Sequence, residues 1–160
     1  MLELLQRWGQ IYVTLLKERH IEAGQKATGK SLSKFGYEAT STKLDVFGGD
    51  NTEYLERGRG GGGFPPVNNI YKWAQIKGIF VNIKKEYKKR GIAYIIARSI
   101  AEKGSYLFRT GKTYAGMKNP ISGVFTQELE DEMMADIMEE TTNQIQALIT
   151  KTYKDYVKSN

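Results

Sequence analysis

Residues 30–56 read KSLSKFGYEATSTKLDVFGGDNTEYLE. Leu32, Phe35, Tyr37, Leu44, Val46, Phe47, Tyr54 and Leu55 are scattered there among Ser, Thr, Gly and Asp, and Gly48-Gly49-Asp50-Asn51 is a strong turn signal. Short apolar runs bounded by turn formers predict short strands. On either side the apolar spacing becomes helical, and that contrast decides the fold class.

Upstream, Leu4, Leu5, Trp8, Ile11, Tyr12, Leu15 and Leu16 recur at steps of three and four. They predict a helix over 2–22 that stops at Gly24. Downstream, residues 57–64 (RGRGGGGF) hold five glycines in eight positions. Each costs about 1 kcal/mol relative to alanine in a helix, so this stretch is predicted to be a loop. Pro65 and Pro66 pre-set the backbone for a helix over 67–77, with Val67, Ile70, Tyr71 and Trp73 available for burial and Gly78 at its end. Residues 79–90 fit strand or helix equally.

A further helix is predicted over 92–103, with Ile92, Ile95, Ile96 and Ile100 on its buried side and Gly104 closing it. Residues 105–123 are dotted with glycine and predicted to form a flexible, extended loop or hairpin. The longest helical pattern covers 124–157 through Phe125, Leu129, Met133, Ile137, Ile145, Leu148, Ile149 and Tyr156. Glu128, Glu130, Asp131 and Glu132 fill its start and Lys151, Lys154 and Lys158 its end, the polarity that complements a helix dipole. Together these elements predict a single α+β domain over 1–160. A small antiparallel sheet would pack against an N-terminal helix, two central helices and a long C-terminal helix.

Composition narrows the function. The 160 residues are 40% hydrophobic and 26% charged, with no cysteine. Disulfides, thiolate metal sites and cysteine nucleophiles are therefore excluded. No apolar run approaches the ~20 residues that a bilayer span needs. Residues 1–7 carry no basic stretch ahead of an apolar core, so they do not read as a signal peptide; a protein made in a cytoplasm, or assembled there into something larger, is expected. The net charge of +6 is unevenly placed. Residues 57–112 hold 13 bases and 2 acids, whereas residues 113–160 hold 4 bases and 8 acids. A basic middle beside an acidic tail suits an anionic partner or charge-complementary packing between copies.

Gly24-Gln25-Lys26-Ala27-Thr28-Gly29-Lys30-Ser31 satisfies the phosphate-loop pattern G-x-x-x-x-G-K-[ST]. Such a loop works when a buried strand enters it and a helix leaves it, because the helix N-terminus then faces the phosphates. Here a predicted helix precedes the motif and strand-like sequence follows it. No later apolar strand ends in an aspartate for magnesium. The match is expected to be accidental, which leaves nucleotide binding as the least favoured function.

Five bases stand among the seven residues 84–90: Lys84, Lys85, Lys88, Lys89 and Arg90, with Tyr87 between them. With Arg57 and Arg59, which flank the glycine run, they are the candidate assembly or DNA-facing contacts. No base-reading motif accompanies them, so contact with nucleic acid would be non-specific. Pro65, Pro66 and Trp73 are expected to be structural, with Trp73 in the core. Arg98, in an otherwise apolar helix, is expected to form an interior or interface ion pair. His20, the only histidine, is expected at the surface or in the last turn of the first helix. The acids of 128–140 fall on several helix faces without a calcium-loop pattern. No catalytic, cofactor or metal residue is assigned, and no enzyme is expected.

The ordered elements resemble the tail-completion and head–tail joining family of tailed bacteriophages. Four segments carry the resemblance: Thr28-Gly29-Lys30-Ser31-Leu32, where a first strand would open after the helix; Tyr54-Leu55-Glu56-Arg57-Gly58-Arg59, like a strand ending in a Gly-Arg pair; Phe64-Pro65-Pro66-Val67 with Ile70, Trp73, Lys77, Gly78 and Ile79; and residues 93–104, AYIIARSIAEKG. The four-glycine run and the longer basic stretch before residue 91 depart from the family pattern. The resemblance implies a non-enzymatic virion protein of the neck or tail: a ring of identical subunits beside portal, connector or tail proteins, touching packaged DNA at most non-specifically. Non-specific nucleic-acid binding is the alternative function.

Overall fold

The computed structural model describes residues 1–159, and the fold is α+β. Helix α1 spans Leu2–Glu22, strands β1 and β2 span Gly36–Ala39 and Leu44–Phe47, and α2 spans Thr52–Arg57. Then follow α3 (Val67–Ile76), α4 (Glu86–Lys103), α5 (Tyr106–Thr110) and α6 (Gln127–Ser159). Short 3-10 turns occupy Leu32–Lys34 and Ser122–Val124. The two strands form one antiparallel sheet. No helix among the described residues is long and apolar enough to cross a membrane. The chain gathers into two compact units, one of residues 1–13, 37–46 and 125 onward, the other of residues 14–36 and 47–124.

In the first unit, Leu5, Trp8 and Tyr12 of the predicted stripe are buried together with Val13, which lay outside it, while Leu4 and Ile11 are half-buried. Tyr12 stacks on Phe125 with ring centroids 5.3 Å apart. Trp8 Nε1 and Arg7 Nη2 both donate to Asp136 Oδ2, at 2.9 and 2.6 Å, which ties α1 to α6. Burial and the nearby Glu130 carboxylate push the Tyr12 phenol above its ordinary pKa. Gly9 lies inside α1 because the Tyr37 ring needs its space. A Cβ there would fall 2.5–2.8 Å from Tyr37 Cγ and Cε2.

Helix propensity alone says that Gly9→Ala should stabilise. The lost space predicts the opposite, a loss of about 1–3 kcal/mol as the ring is displaced. A urea midpoint shifted downward is the expected result, and an upward shift would mean that the ring moves aside at little cost.

In the second unit, α3 packs on α4 around buried Ala74, Phe80 and Ala93, with Trp73, Ile70 and Ile92 half-buried against them. Tyr71 and Phe80 lie 5.3 Å apart in the same cluster. Small residues on both helices let the backbones approach closely. Gly78 follows the last turn of α3 at φ 70°, and Gly104 ends α4 at φ 80°. The rest of this core gathers Leu16, His20, Ala23, Phe35, Ile121 and Val124.

Several expectations need correction. Residues 52–57 are helix, not strand, so the segment ending in the Gly-Arg pair is α2. The glycine-rich turn before it launches a helix: Thr52 Oγ1 donates to the Gly49 carbonyl at 2.6 Å. Helix α4 begins at Glu86, six residues earlier than the isoleucine spacing indicated, because the basic run forms its exposed first turns. Its buried side is marked by Ala93 and Ala97, while Ile95 is 65% exposed. Within 105–123, residues 106–110 are helical: Ser105 Oγ accepts from Phe108 N and caps α5. Tyr106 stacks on Tyr114, with ring centroids 4.3 Å apart, which further orders that segment.

Candidate assembly surface

The glycine run is pinned against its own chain. The Arg59 backbone N–H donates to Ser105 Oγ at 2.9 Å, and Ser105 N–H donates back to the Arg59 carbonyl at 2.8 Å. Gly62 N–H adds a bond to the Ala101 carbonyl at 2.8 Å. The residues that end α2 and α4, Gly58 (φ 77°, ψ 176°) and Gly104 (φ 80°, ψ 173°), take the same conformation, and each meets the strap that follows the other. Arg59 is half-buried, and its guanidinium donates to the Gly63 carbonyl, so it holds the loop rather than reaching outward. Arg57 is exposed and has no side-chain partner among the described residues. Pro65 is buried, and Pro66 stands at the start of α3.

The basic run divides by function. Glu86 draws in Lys89 (3.6 Å) and Arg90 (4.0 Å) and accepts a 2.6 Å bond from the Tyr71 hydroxyl. The Tyr71 bond, together with these cations, holds the Glu86 carboxyl below its usual pKa. Half-buried Lys89 and exposed Arg90 are therefore paired within the chain, with Arg90 also over the Tyr71 ring. Lys84, Lys85 and Lys88 face solvent without carboxylate partners among the described residues, and Lys85 lies near the Tyr87 ring. Tyr87, Tyr94, Ile95 and Arg98 fall on the exposed side of α4. Arg98 is not interior; it pairs with Glu102 one turn on, at 2.7 Å. Trp73 is half-buried rather than fully enclosed. The result is a basic and aromatic surface made by Lys84 and Lys85, just ahead of α4, and by the exposed side of that helix.

His20 corrects the expectation of a surface position. It does lie in the last turn of α1, but its side chain is fully buried. Nδ1 lies 3.1 Å from Gln25 Oε1 and Nε2 lies 3.2 Å from Ser31 Oγ. Gln25 Nε2 donates to the Leu55 carbonyl, so its oxygen faces the ring, and Nδ1 carries the proton. Lys77 Nζ donates to the carbonyls of Gly24 and Lys26, both at 2.7 Å. Gln25 and Ser31 are thus engaged with His20, and the motif runs into the Leu32–Lys34 turn rather than a helix. The phosphate-loop pattern here serves as a strap around a histidine.

Sequence reasoning also missed Glu56. Its carboxylate accepts from the N–H groups of Ile121 (2.7 Å) and Ser122 (3.2 Å) and from the Ser122 hydroxyl, capping the Ser122–Val124 turn. Nothing in the local sequence marked that role.

The acids of 128–140 lie along α6 as expected, and among the described residues no group of three His, Asp or Glu is placed to hold a metal ion. From residue 141 to residue 158 every position on α6 is exposed. No known protein family, curated protein or solved structure matches the chain.

Proposed function

We propose that this chain is a structural subunit of a tailed-phage neck or tail, working in a ring of like copies beside portal, connector or tail proteins, and that it performs no catalysis. The observation that carries the reading is its quantity of side-chain surface suited to partners. Large apolar residues stand exposed on α4 and along α6, including Ile95, Leu148 and Ile149 at 64–65%. Monomeric proteins seldom expose apolar surface so continuously. The basic face of α4 and the acidic first half of α6 offer surfaces of opposite sign, as a head-to-tail contact between copies requires. The phage assignment itself rests on the resemblance of residues 54–104.

The test is to purify particles from a host expressing a tagged copy and image them by electron microscopy. Density for the tag in a ring between portal and tail is expected. Particles lacking the protein, with the neck intact, would sink the assignment. The basic face favours a second reading, non-specific nucleic-acid binding through Lys84, Lys85, Lys88 and Tyr87. In that case the isolated chain would bind DNA with an affinity that falls steeply as salt rises.

A further inference from the structure

Positions 134, 138, 141, 145, 148 and 152 of α6 follow alternating steps of four and three, the spacing of a helix seam that meets another helix. Met134, Met138, Ile145 and Leu148 supply its apolar side chains, each at least 51% exposed. Thr141 and Thr152 complete it. Their hydroxyls donate to the carbonyls of Ile137 and Leu148, at 2.7 and 2.9 Å, which leaves their methyl groups to face outward. Asp136, which Arg7 and Trp8 hold, lies half a turn round from this seam. Helix α1 therefore covers the other side of the first half of α6 and leaves the seam open, and from residue 141 to residue 158 every position of α6 is exposed.

We infer that the occupant of this seam is the same seam on a second copy, running antiparallel about a two-fold axis between Thr141 and Ile145. Charge decides both the partner and the direction. Residues 128–140 carry seven carboxylates and no base, whereas residues 151–158 carry three lysines and one aspartate. Antiparallel pairing lays the acidic half of each helix along the basic half of the other. Of the charges that flank the seam, Lys158 then comes level with Glu128 and Glu130, whereas Lys154 and Asp136 lie on the far side of the helix. A parallel pair would set acid against acid and lysine against lysine, which like-charge repulsion disfavours. The contact is isologous, so every favourable pairing occurs twice.

A two-fold pair cannot persist in a polar ring whose copies all point the same way. The pair is thus the form of the chain outside such a ring, and it keeps the seam covered until a neighbour replaces it. This inference does not rest on the phage assignment, and either can fail alone.

Sedimentation equilibrium of the full chain tests it. The wild type is expected to be a dimer. Ile145→Glu is expected to be a monomer with an unchanged near-ultraviolet circular dichroism spectrum, because residue 145 touches no core. The double variant Lys151→Glu, Lys158→Glu is expected to lose the dimer. Mixing it with Glu128→Lys, Glu130→Lys should restore a dimer containing one of each. The inference is overturned by a wild-type monomer at all concentrations, including one that pairs only with a different protein. It is also overturned by a dimer that survives Ile145→Glu, or by one indifferent to the lysine reversal, as a parallel pair would be.

Discussion

Gly58→Ala is expected to destabilise the chain by about 3–5 kcal/mol, enough to unfold many domains of this size. Two independent effects combine. At φ 77° and ψ 176° the backbone of residue 58 is in a region that only glycine occupies readily. The added Cβ would also fall on the backbone nitrogen of Phe108, 2.6 Å from Ser105 Oγ and 3.0 Å from Phe108 Cα. A helix backbone cannot swing aside as a side-chain tip can. Relief would therefore break the reciprocal Arg59–Ser105 bonds and uncap α5. Gly63→Ala is the matched control within the same glycine run, since its nearest neighbour would be Arg59 Nη2 at 3.7 Å. It should shift the urea midpoint only slightly. Equal losses at both positions would mean that the run acts through its flexibility and not through the crossing.

His20→Ala is expected to cost about 2–4 kcal/mol, through a cavity and through two partners left unsatisfied, Gln25 and Ser31. Its removal should also change how stability responds to acid. Burial lowers the His20 pKa and outweighs the Gln25 hydrogen bond that raises it, while the Lys77 ammonium lowers it further. The folded state thus binds this proton less readily than the unfolded state. The neutral ring's contribution is complete above the ordinary imidazole pKa and is lost as pH falls from there toward the depressed folded value. The slope approaches about 1.4 kcal/mol per pH unit within that window. Chemical denaturation of the wild type and of His20→Gln across the window is the check. The wild type should lose stability faster on acidification, and parallel curves would remove His20 as the cause.

The sequence made the longer helices legible. The Leu–Trp–Tyr stripe of α1, the Pro-Pro entry to α3 and the glycine stops at 78 and 104 each express a local physical rule, and each stands where that rule puts it. Two strands within 30–56 were legible for the same reason. Helix α2 was not, because six residues complete fewer than two turns and show no periodicity, and its start depends on the turn before it. The buried side of α4 was misjudged because close packing against α3 selects the smallest residues, Ala93 and Ala97, over the most hydrophobic ones. For the candidate surface, the basic residues were legible as a set. Which of them are paired within the chain was not, since Tyr71, which bonds Glu86 and lies under Arg90, belongs to another helix. Glu56 depends on partners 65 and 66 residues away, and His20 on a strap, Gln25 to Ser31, whose sequence pattern pointed to a phosphate loop instead.

The stretch of α6 from 141 to 158 has a thermodynamic consequence. Every residue in it is exposed, and seven of them are β-branched: Thr141, Thr142, Ile145, Ile149, Thr150, Thr152 and Val157. Such residues lose side-chain freedom in a helix, and a helix of this length without tertiary packing is marginal in water. Its helicity is therefore governed by a local equilibrium rather than by the cooperative free energy of the two packed units. The folded state of this protein is not described by one stability. Any surface that covers the far half of α6 also fixes its conformation, so the affinity of such a contact already includes the entropy of ordering five turns of helix.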